Sequence, residues 1–187
     1  MRILAISGSL RRDSHNTKLL RAAADLLPPG AELVVLDPEA LRAIPHYDED
    51  LREHGEPGSV RSLRDAVNGA DAILISTPEY NHSLPGALKN AIDWLSRPIA
   101  ASPFKGKPVA VVGASTGMFG AVWAQAEARK VLGAVGGDVI DAELPVVFAH
   151  EQFDAAGALT DDDVRDALRT QLAALVGTAA PTLAEAA

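Results

Sequence analysis

The segment Ala72-Ile73-Leu74-Ile75 is apolar at every position. A strand with one face in water alternates apolar and polar residues, so an unbroken run of this kind belongs to a strand covered on both faces. Such strands occur in parallel sheets, where helices cover both sides. The pattern recurs along the chain. Strands are expected at 2–7, 32–36, 70–76 and 108–113, with a fifth within 137–148 that Pro145 interrupts or displaces. Between them run helical periodicities at 16–27 (Leu19, Leu20, Ala23, Leu26), 57–68 (Val60, Leu63, Val67), 84–96 (Leu84, Leu88, Ile92, Leu95) and 117–132. A last helix is expected from Thr160, which with Asp163 resembles a capping box, and its stripe is Val164, Leu168, Leu172 and Leu175. The polar stretch 37–56 shows no periodicity and is expected to be a long irregular connection, which in a compact domain is more often functional than idle. The tail 178–187 is expected to fray.

Strand–helix alternation repeated five times, joined by right-handed crossovers, gives a doubly wound sandwich. The length of 187 residues suits one such domain, spanning 1–187. Ligands of these sheets sit beyond the carboxyl ends of the strands. The loops there are 8–16, 77–83 and 113–120, and they hold the unusual residues of the chain.

Composition narrows the chemistry. The chain has no cysteine, which removes disulfides, thiolate nucleophiles and cysteine-held metals or clusters. Any redox step needs a bound organic cofactor. The net charge of −8 opposes non-specific binding to nucleic acid. His15, His46, His54, His82 and His150 have no metal-ligand spacing, and no metal is expected. No apolar run approaches bilayer length. The apolar stretch 3–6 lacks the pattern of a secretory signal, so a cytoplasmic protein without a membrane partner is expected.

Gly8-Ser9-Leu10-Arg11-Arg12-Asp13-Ser14-His15-Asn16 offers hydroxyls, an amide, guanidinium groups and a helix N-terminus. That set suits a phosphate monoester, although Ser14 or Asn16 would also serve as an ordinary helix cap beside solvated arginines. Neither G-x-x-x-x-G-K-[ST] nor G-x-G-x-x-G is present, which disfavours a triphosphate or a Rossmann-bound dinucleotide. Thr77-Pro78-Glu79-Tyr80-Asn81-His82-Ser83 is stiffened by prolines on either side and carries a ring-covering tyrosine, which suits a flat polar ring; Ser83 and Pro85 also fit simple capping. Gly113-Ala114-Ser115-Thr116-Gly117 lets backbone approach a ligand. It also matches the G-x-S-x-G elbow of serine hydrolases, with Ser115 as nucleophile, Asp138 or Asp141 as acid and His150 as base. Against the hydrolase stand the short chain and the lack of an oxyanion segment, and that reading leaves the two earlier loops unexplained. Trp94 suits a core edge or a subunit contact, and Phe119 and Trp123 suit a ligand cleft or an interface.

Gly8-Ser9-Leu10-Arg11 with Ser14 and Asn16, followed by the long stretch from Pro78-Glu79-Tyr80-Asn81-His82-Ser83 to Asp93-Trp94, resembles the NADPH-dependent FMN reductase family over about residues 1–150. The resemblance implies a flavodoxin-like three-layer sandwich, with a five-stranded parallel sheet in the order 2-1-3-4-5. It implies non-covalent FMN, its phosphate held by Ser9, Arg11, Ser14 and Asn16. Pro78, Glu79, Tyr80 and Asn81 would meet the isoalloxazine ring, and Ser115, Thr116 and Gly117 would close the far side. NADPH or NADH would be the hydride donor, and quinones, azo compounds or free flavin the small acceptors. A homodimer or homotetramer is implied, with each flavin near a subunit boundary. Ala121 and Trp123 stand where the family often has glycine and arginine before Ala124-Gln125, a departure that bears on acceptor and nicotinamide contacts. Arg11, Arg12 and Lys18 are expected near the FMN, and no positive cluster in the sequence marks a ribose 2′-phosphate site. The same fold and cofactor also suit a flavodoxin-type electron carrier.

Overall fold

The computed structural model describes residues 1–185. Strands β1 (Arg2–Ser7), β2 (Glu32–Val35), β3 (Ala72–Thr77) and β4 (Pro108–Ala114) form a parallel sheet in the order β2-β1-β3-β4. Its next position is shared by two short strands, β5 (Asp138–Val139) and β6 (Pro145–Val146), which pair with the two ends of β4. The fifth strand is therefore broken. After β5 the Ala142 N–H turns back on the Ile140 carbonyl at 2.9 Å, a three-residue turn that leaves the ladder. Pro145, which has no N–H to give, re-enters at the sheet edge.

Alternation along β3 divides the core in two. Ile73 and Ile75 face one layer with Leu4, Ile6, Val109 and Val111, and Ala72 and Leu74 face the other with Ile3, Ala5, Ala110 and Val112. The first layer is closed by α4 (Gly58–Asn68), α5 (Gly86–Leu95) and α6 (Val122–Ala134) through Val60, Leu63, Leu88, Ile92 and Leu132. The second is closed by α1 (His15–Ala24) and α7 (Asp162–Glu185) through Leu19, Leu20, Leu168, Leu172 and Leu175. This is the flavodoxin-like arrangement, with the 2-1-3-4-5 order expected from the sequence.

Several element ends differ from the periodicity. The stretch 37–56 is not irregular throughout: it contains α2 (Pro38–Arg42) and α3 (Glu49–Glu53). The Asp37 carboxylate caps the first, with Pro38 in its opening turn, and Asp48 caps the second. The segment between them is pinned to α5. The Trp94 Nε1–H and the Asn90 amide both donate to the Pro45 carbonyl (2.8 and 2.9 Å), and the Tyr47 N–H donates to Asn90 Oδ1 at 2.8 Å. Trp94 is fully buried, a core residue rather than a subunit contact.

Helix α6 begins at 122, not 117, because Gly120 and Ala121 both take left-handed conformations (φ 56° and 63°) that no helix continues through. Helix α7 is capped by Asp161, whose carboxylate accepts the Val164 N–H at 3.0 Å, and not by Thr160. It continues past Gly177, with Ala179 buried. Residues 186–187 of the expected frayed tail lie outside the described residues. Among the described residues no helix is long and apolar enough to cross a membrane.

Gly120 is where the β4–α6 loop crosses β6. A Cβ there would stand 2.5 Å from the Pro145 carbonyl carbon. Gly120→Ala should therefore cost about 2–4 kcal/mol, from the close contact and the positive φ together. Gly133→Ala, on α6 with open space around it, should be neutral or stabilise by up to about 1 kcal/mol. Urea midpoints of the two variants test this pair.

Candidate functional site

Three loops leave the carboxyl ends of β1, β3 and β4 and meet because one buried carboxamide joins them. Asn16, in the first turn of α1, accepts the Ser76 hydroxyl at 2.8 Å and the Ala114 N–H at 3.0 Å on Oδ1, and its Nδ2 donates to the Ala114 carbonyl at 2.9 Å. The β1–α1 loop is further fixed by Gly8, whose N–H donates to the Ser76 carbonyl at 2.8 Å. Its Cα hydrogens face Leu88 and Pro78, where a Cβ would be tight. Thr17 donates to the Ser7 hydroxyl at 3.1 Å, and the Ser14 hydroxyl caps α1 by accepting from the Asn16 and Thr17 N–H groups.

The cleft between the loops holds about 180 Å³. The first loop lines it with Ser9, Arg11, Ser14, His15 and Asn16, the second with Pro78, Glu79 and Tyr80, the third with Ala114, Ser115 and Thr116. Most of the residues singled out from the sequence thus meet in one place, but their roles divide. The Asn16 carboxamide is largely consumed by its ties to β3 and β4, so it shapes this part of the cleft more than it can donate into it. Asn81 is not on the cleft wall. Tyr80 and Ser83 exchange two backbone hydrogen bonds of 3.1 Å, and Asn81 and His82 form the apex between them with φ of 53° and 59°. This two-residue turn lifts both side chains into solvent. Gly117 is also off the wall, its N–H on the Ser115 hydroxyl at 3.1 Å and its carbonyl accepting the Phe148 N–H at 3.2 Å. Arg12 is absent from this wall and lines a separate concavity.

The Glu79 carboxylate also serves as a helix cap. Its Oε2 accepts the Trp123 and Ala124 N–H groups at 3.0 and 3.2 Å. Helix α6 has no cap of its own because Ala121 stands at that position, so the β3–α5 loop supplies one. The Ser83 hydroxyl adds a second tie by donating to Glu127. Gln125, fully buried, donates to the Gly120 and Leu144 carbonyls and accepts the Leu144 N–H at 2.9 Å, fixing the third loop from below.

Two residues of the cleft were not singled out from the sequence. Ala114 has no distinguishing chemistry. His15 follows a capping serine and passes for an ordinary helix-start residue. Its ring stacks on Phe153 with centroids 6.1 Å apart, and its buried Nδ1 has no hydrogen-bond partner among the described residues. Burial lowers its pKa from the ordinary value, and the nearby positive groups Lys18, Arg11 and His150 lower it further. The Arg11 guanidinium, whose one hydrogen bond among the described residues is to the Asp13 carbonyl at 3.2 Å, gives this part of the cleft positive charge and unused donors. That is the chemistry of an anion site. The second loop contributes buried Pro78 and half-exposed Tyr80 to the wall.

The hydrolase arrangement does not form. Ser115 Oγ accepts a hydrogen bond within its own loop, while His150 Nε2 lies 3.3 Å from Glu151. No Ser115–His hydrogen bond, which nucleophile activation requires, occurs among the described residues. Beside the cleft Met118, Phe119, Trp123 and Phe148 are 40–63% exposed, and the Trp123 ring meets His82 and Phe119 edge-on at 4.6 and 4.8 Å.

Comparison with known proteins matches residues 1–151 to the family model of NADPH-dependent FMN reductases. An NAD(P)H-dependent FMN reductase of Pseudomonas aeruginosa, PA1204, is 45% identical, with 94% of this chain and 93% of the relative covered. A 2-hydroxy-1,4-benzoquinone reductase of a Burkholderia species is 37% identical, with 91% of each chain covered. Among solved structures, the flavoenzyme NAD(P)H:(acceptor) oxidoreductase FerB of Paracoccus denitrificans superimposes with a TM-score of 0.83 at 37% identity, covering 96% of this chain and 97% of its own.

Asn16→Ala strands the Ala114 amide and the Ser76 hydroxyl, and each buried polar group left without a partner costs about 1–3 kcal/mol. Thermal denaturation of the variant should show a loss in that range or above it. His15 gives a pH effect of definite sign. As pH falls below 6.5 the unfolded chain takes up a proton at this position before the folded chain does, so stability drops until the lowered folded pKa is passed. His15→Gln should remove that part of the acid sensitivity, seen as a smaller difference in Tm between about pH 7.5 and about pH 5.5.

Proposed function

This chain belongs to the NADPH-dependent FMN reductase family, and from that premise we propose that the cleft between its three loops holds the FMN through which NAD(P)H reduces quinones or free flavin. The protein is an NAD(P)H-dependent FMN oxidoreductase. The carrying observation is the mixed lining of the cleft, where the first loop brings the hydroxyls of Ser9 and Ser14 and the Arg11 guanidinium and the second brings Pro78 and Tyr80.

The residues present fit the cofactor. Ser9 Oγ accepts the Arg11 N–H at 3.4 Å, which leaves its own proton free to point into the cleft. Arg11 supplies charge to the phosphate. Ser14 caps α1 so that the positive end of the helix faces the same anion. Pro78 and Tyr80 border the ring, and Ser115 and Thr116 bound the far side. Bound FMN supplies two-electron transfer between donor and acceptor, the chemistry the polypeptide lacks. The protein holds and orients, and no side chain is needed to move a proton for hydride delivery. Donor and acceptor would use the open space over Tyr80 in turn, which gives ping-pong kinetics. Catalysis in its own right, rather than service as a flavodoxin-type carrier, is favoured by relatives that are named as reductases of a quinone and of FMN.

The exposed Met118, Phe119, Trp123 and Phe148 support a homodimer, or a homotetramer built from it, with a second copy covering these side chains at the rim of the cleft.

Purified protein should show flavin absorption bands that bleach when NADPH is added without oxygen and return on addition of a quinone. Turnover by the protein alone supports the enzyme over the carrier. Arg11→Ala removes a charge-assisted contact and should weaken FMN retention about tenfold or more with an unchanged Tm of the apoprotein. Equal retention would exclude Arg11 from the phosphate end.

A further inference from the structure

On the other side of Arg11 from the cofactor cleft lies a second concavity of about 320 Å³, between α1 and the β2–α2 turn. Four guanidinium groups line it: Arg11, Arg12, Arg21 and Arg42. Two carboxylates share the wall, and both are engaged. Asp37 accepts the Glu39 N–H at 3.0 Å, and Glu39 pairs with Arg42 Nε at 2.9 Å. Arg12 and Arg21 have no hydrogen-bond or ion-pair partner among the described residues, and Arg11 has only a carbonyl. The basin therefore carries an excess of positive charge on a chain whose net charge is −8. Unpaired arginines crowded together repel one another, and an anion of matching charge relieves this.

The basin is connected to the cofactor cleft. A third concavity of about 370 Å³, bordered by Gly8, Leu10, Pro85 and Gly86, shares Tyr80 with the cofactor cleft and Arg42 with the basin, and Arg11 borders all three. Arg42 fixes the junction by donating to the Leu10 carbonyl at 2.8 Å. A continuous furrow thus runs from the ring-binding side of Tyr80, along a mostly apolar floor, to the arginines.

We propose that this arginine basin binds the 2′-phosphate of NADPH and sets a preference for NADPH over NADH. The proposal rests on the reading of the chain as an NAD(P)H oxidoreductase. A dinucleotide lying with its nicotinamide by Tyr80 sends its adenosine along the furrow. Its pyrophosphate then passes Arg11 and Arg42, and the ribose 2′ position is delivered to Arg12 and Arg21. A phosphate monoester near neutral pH carries about two negative charges and three acceptor oxygens. Arginine forks are suited to it geometrically. The sequence concealed the site because its arginines come from three separate segments.

The test uses the FMN-loaded protein and two probes, 2′,5′-ADP and 5′-AMP, in calorimetric titrations. The native protein should bind 2′,5′-ADP about tenfold or more tightly than 5′-AMP, and the double variant Arg12→Gln/Arg21→Gln should lose that discrimination. In steady state the double variant should raise the ratio of the NADPH KM to the NADH KM by a similar factor. Both side chains are exposed and unpartnered, so folding is expected to survive, and Arg21→Glu supplies a second variant in which repulsion should exaggerate the effect. Equal affinity of the native protein for the two nucleotides overturns the proposal, and so does unchanged discrimination in both variants. Equal loss for NADPH and NADH assigns the basin to the pyrophosphate and also overturns it. Selective binding of 2′,5′-ADP without oxidation of NADPH would uphold the basin while refuting the oxidoreductase reading on which its use depends.

Discussion

The Asn16 carboxamide is the constraint on which the site depends. A strand-end loop has no reason to stay near its neighbour, because its backbone groups are satisfied equally well by water. Asn16 removes that freedom. It is 97% buried and binds the last residue of β4 on both its donor and acceptor sides, while also holding the Ser76 hydroxyl of β3. An aliphatic residue of the same size would leave those polar groups unpaired in a dry interior. Registration of β1, β3 and β4 is thereby transferred from the sheet to the loops.

Glu79 and Gln125 extend the same logic outward. Each is a polar side chain from one segment that satisfies backbone groups of another: Glu79 at the start of α6, Gln125 in the 120–144 crossover. The left-handed backbone at Gly120 and Ala121 denies α6 a local cap. That gap makes the β3–α5 loop part of the α6 terminus. Movement of one loop is in this way resisted by the other two. The aromatic rim of Phe119, Trp123 and His82 is built on this frame, so its placement beside the cleft follows from the cap rather than from a core of its own.

How much of this was visible beforehand depends on the range over which each interaction acts. Ala72-Ile73-Leu74-Ile75 announces a doubly covered strand through neighbours in sequence, and the sheet order and both helical layers follow the expected pattern. The loop segments declared an anion end and a ring end by residue type alone. The division of labour inside them was hidden. Asn16 and Ala114 are 98 positions apart and Glu79 and Trp123 are 44 apart, so nothing local separates a ligand-binding amide from a tie, or a ring contact from a cap. Helices α2 and α3 escaped for another reason. Five residues are too few to show an apolar period, and the Asp37-Pro38 cap was the one signal available. The position of Asn81 at the apex of a turn was hidden because a two-residue turn at positive φ, carried by Asn81-His82 without glycine, is not legible from composition.

The central claim is that the first loop and the start of α1 form a cradle for a phosphate monoester at one end of a flavin cleft. Comparing the affinities of the apoprotein for FMN and for riboflavin, by quenching of flavin fluorescence, isolates that cradle because the two ligands differ only in the phosphate. Several charge-assisted contacts together predict FMN to bind at least about a hundredfold more tightly. Equal affinities would contradict the account, since a cleft with the geometry described here cannot be indifferent to that group.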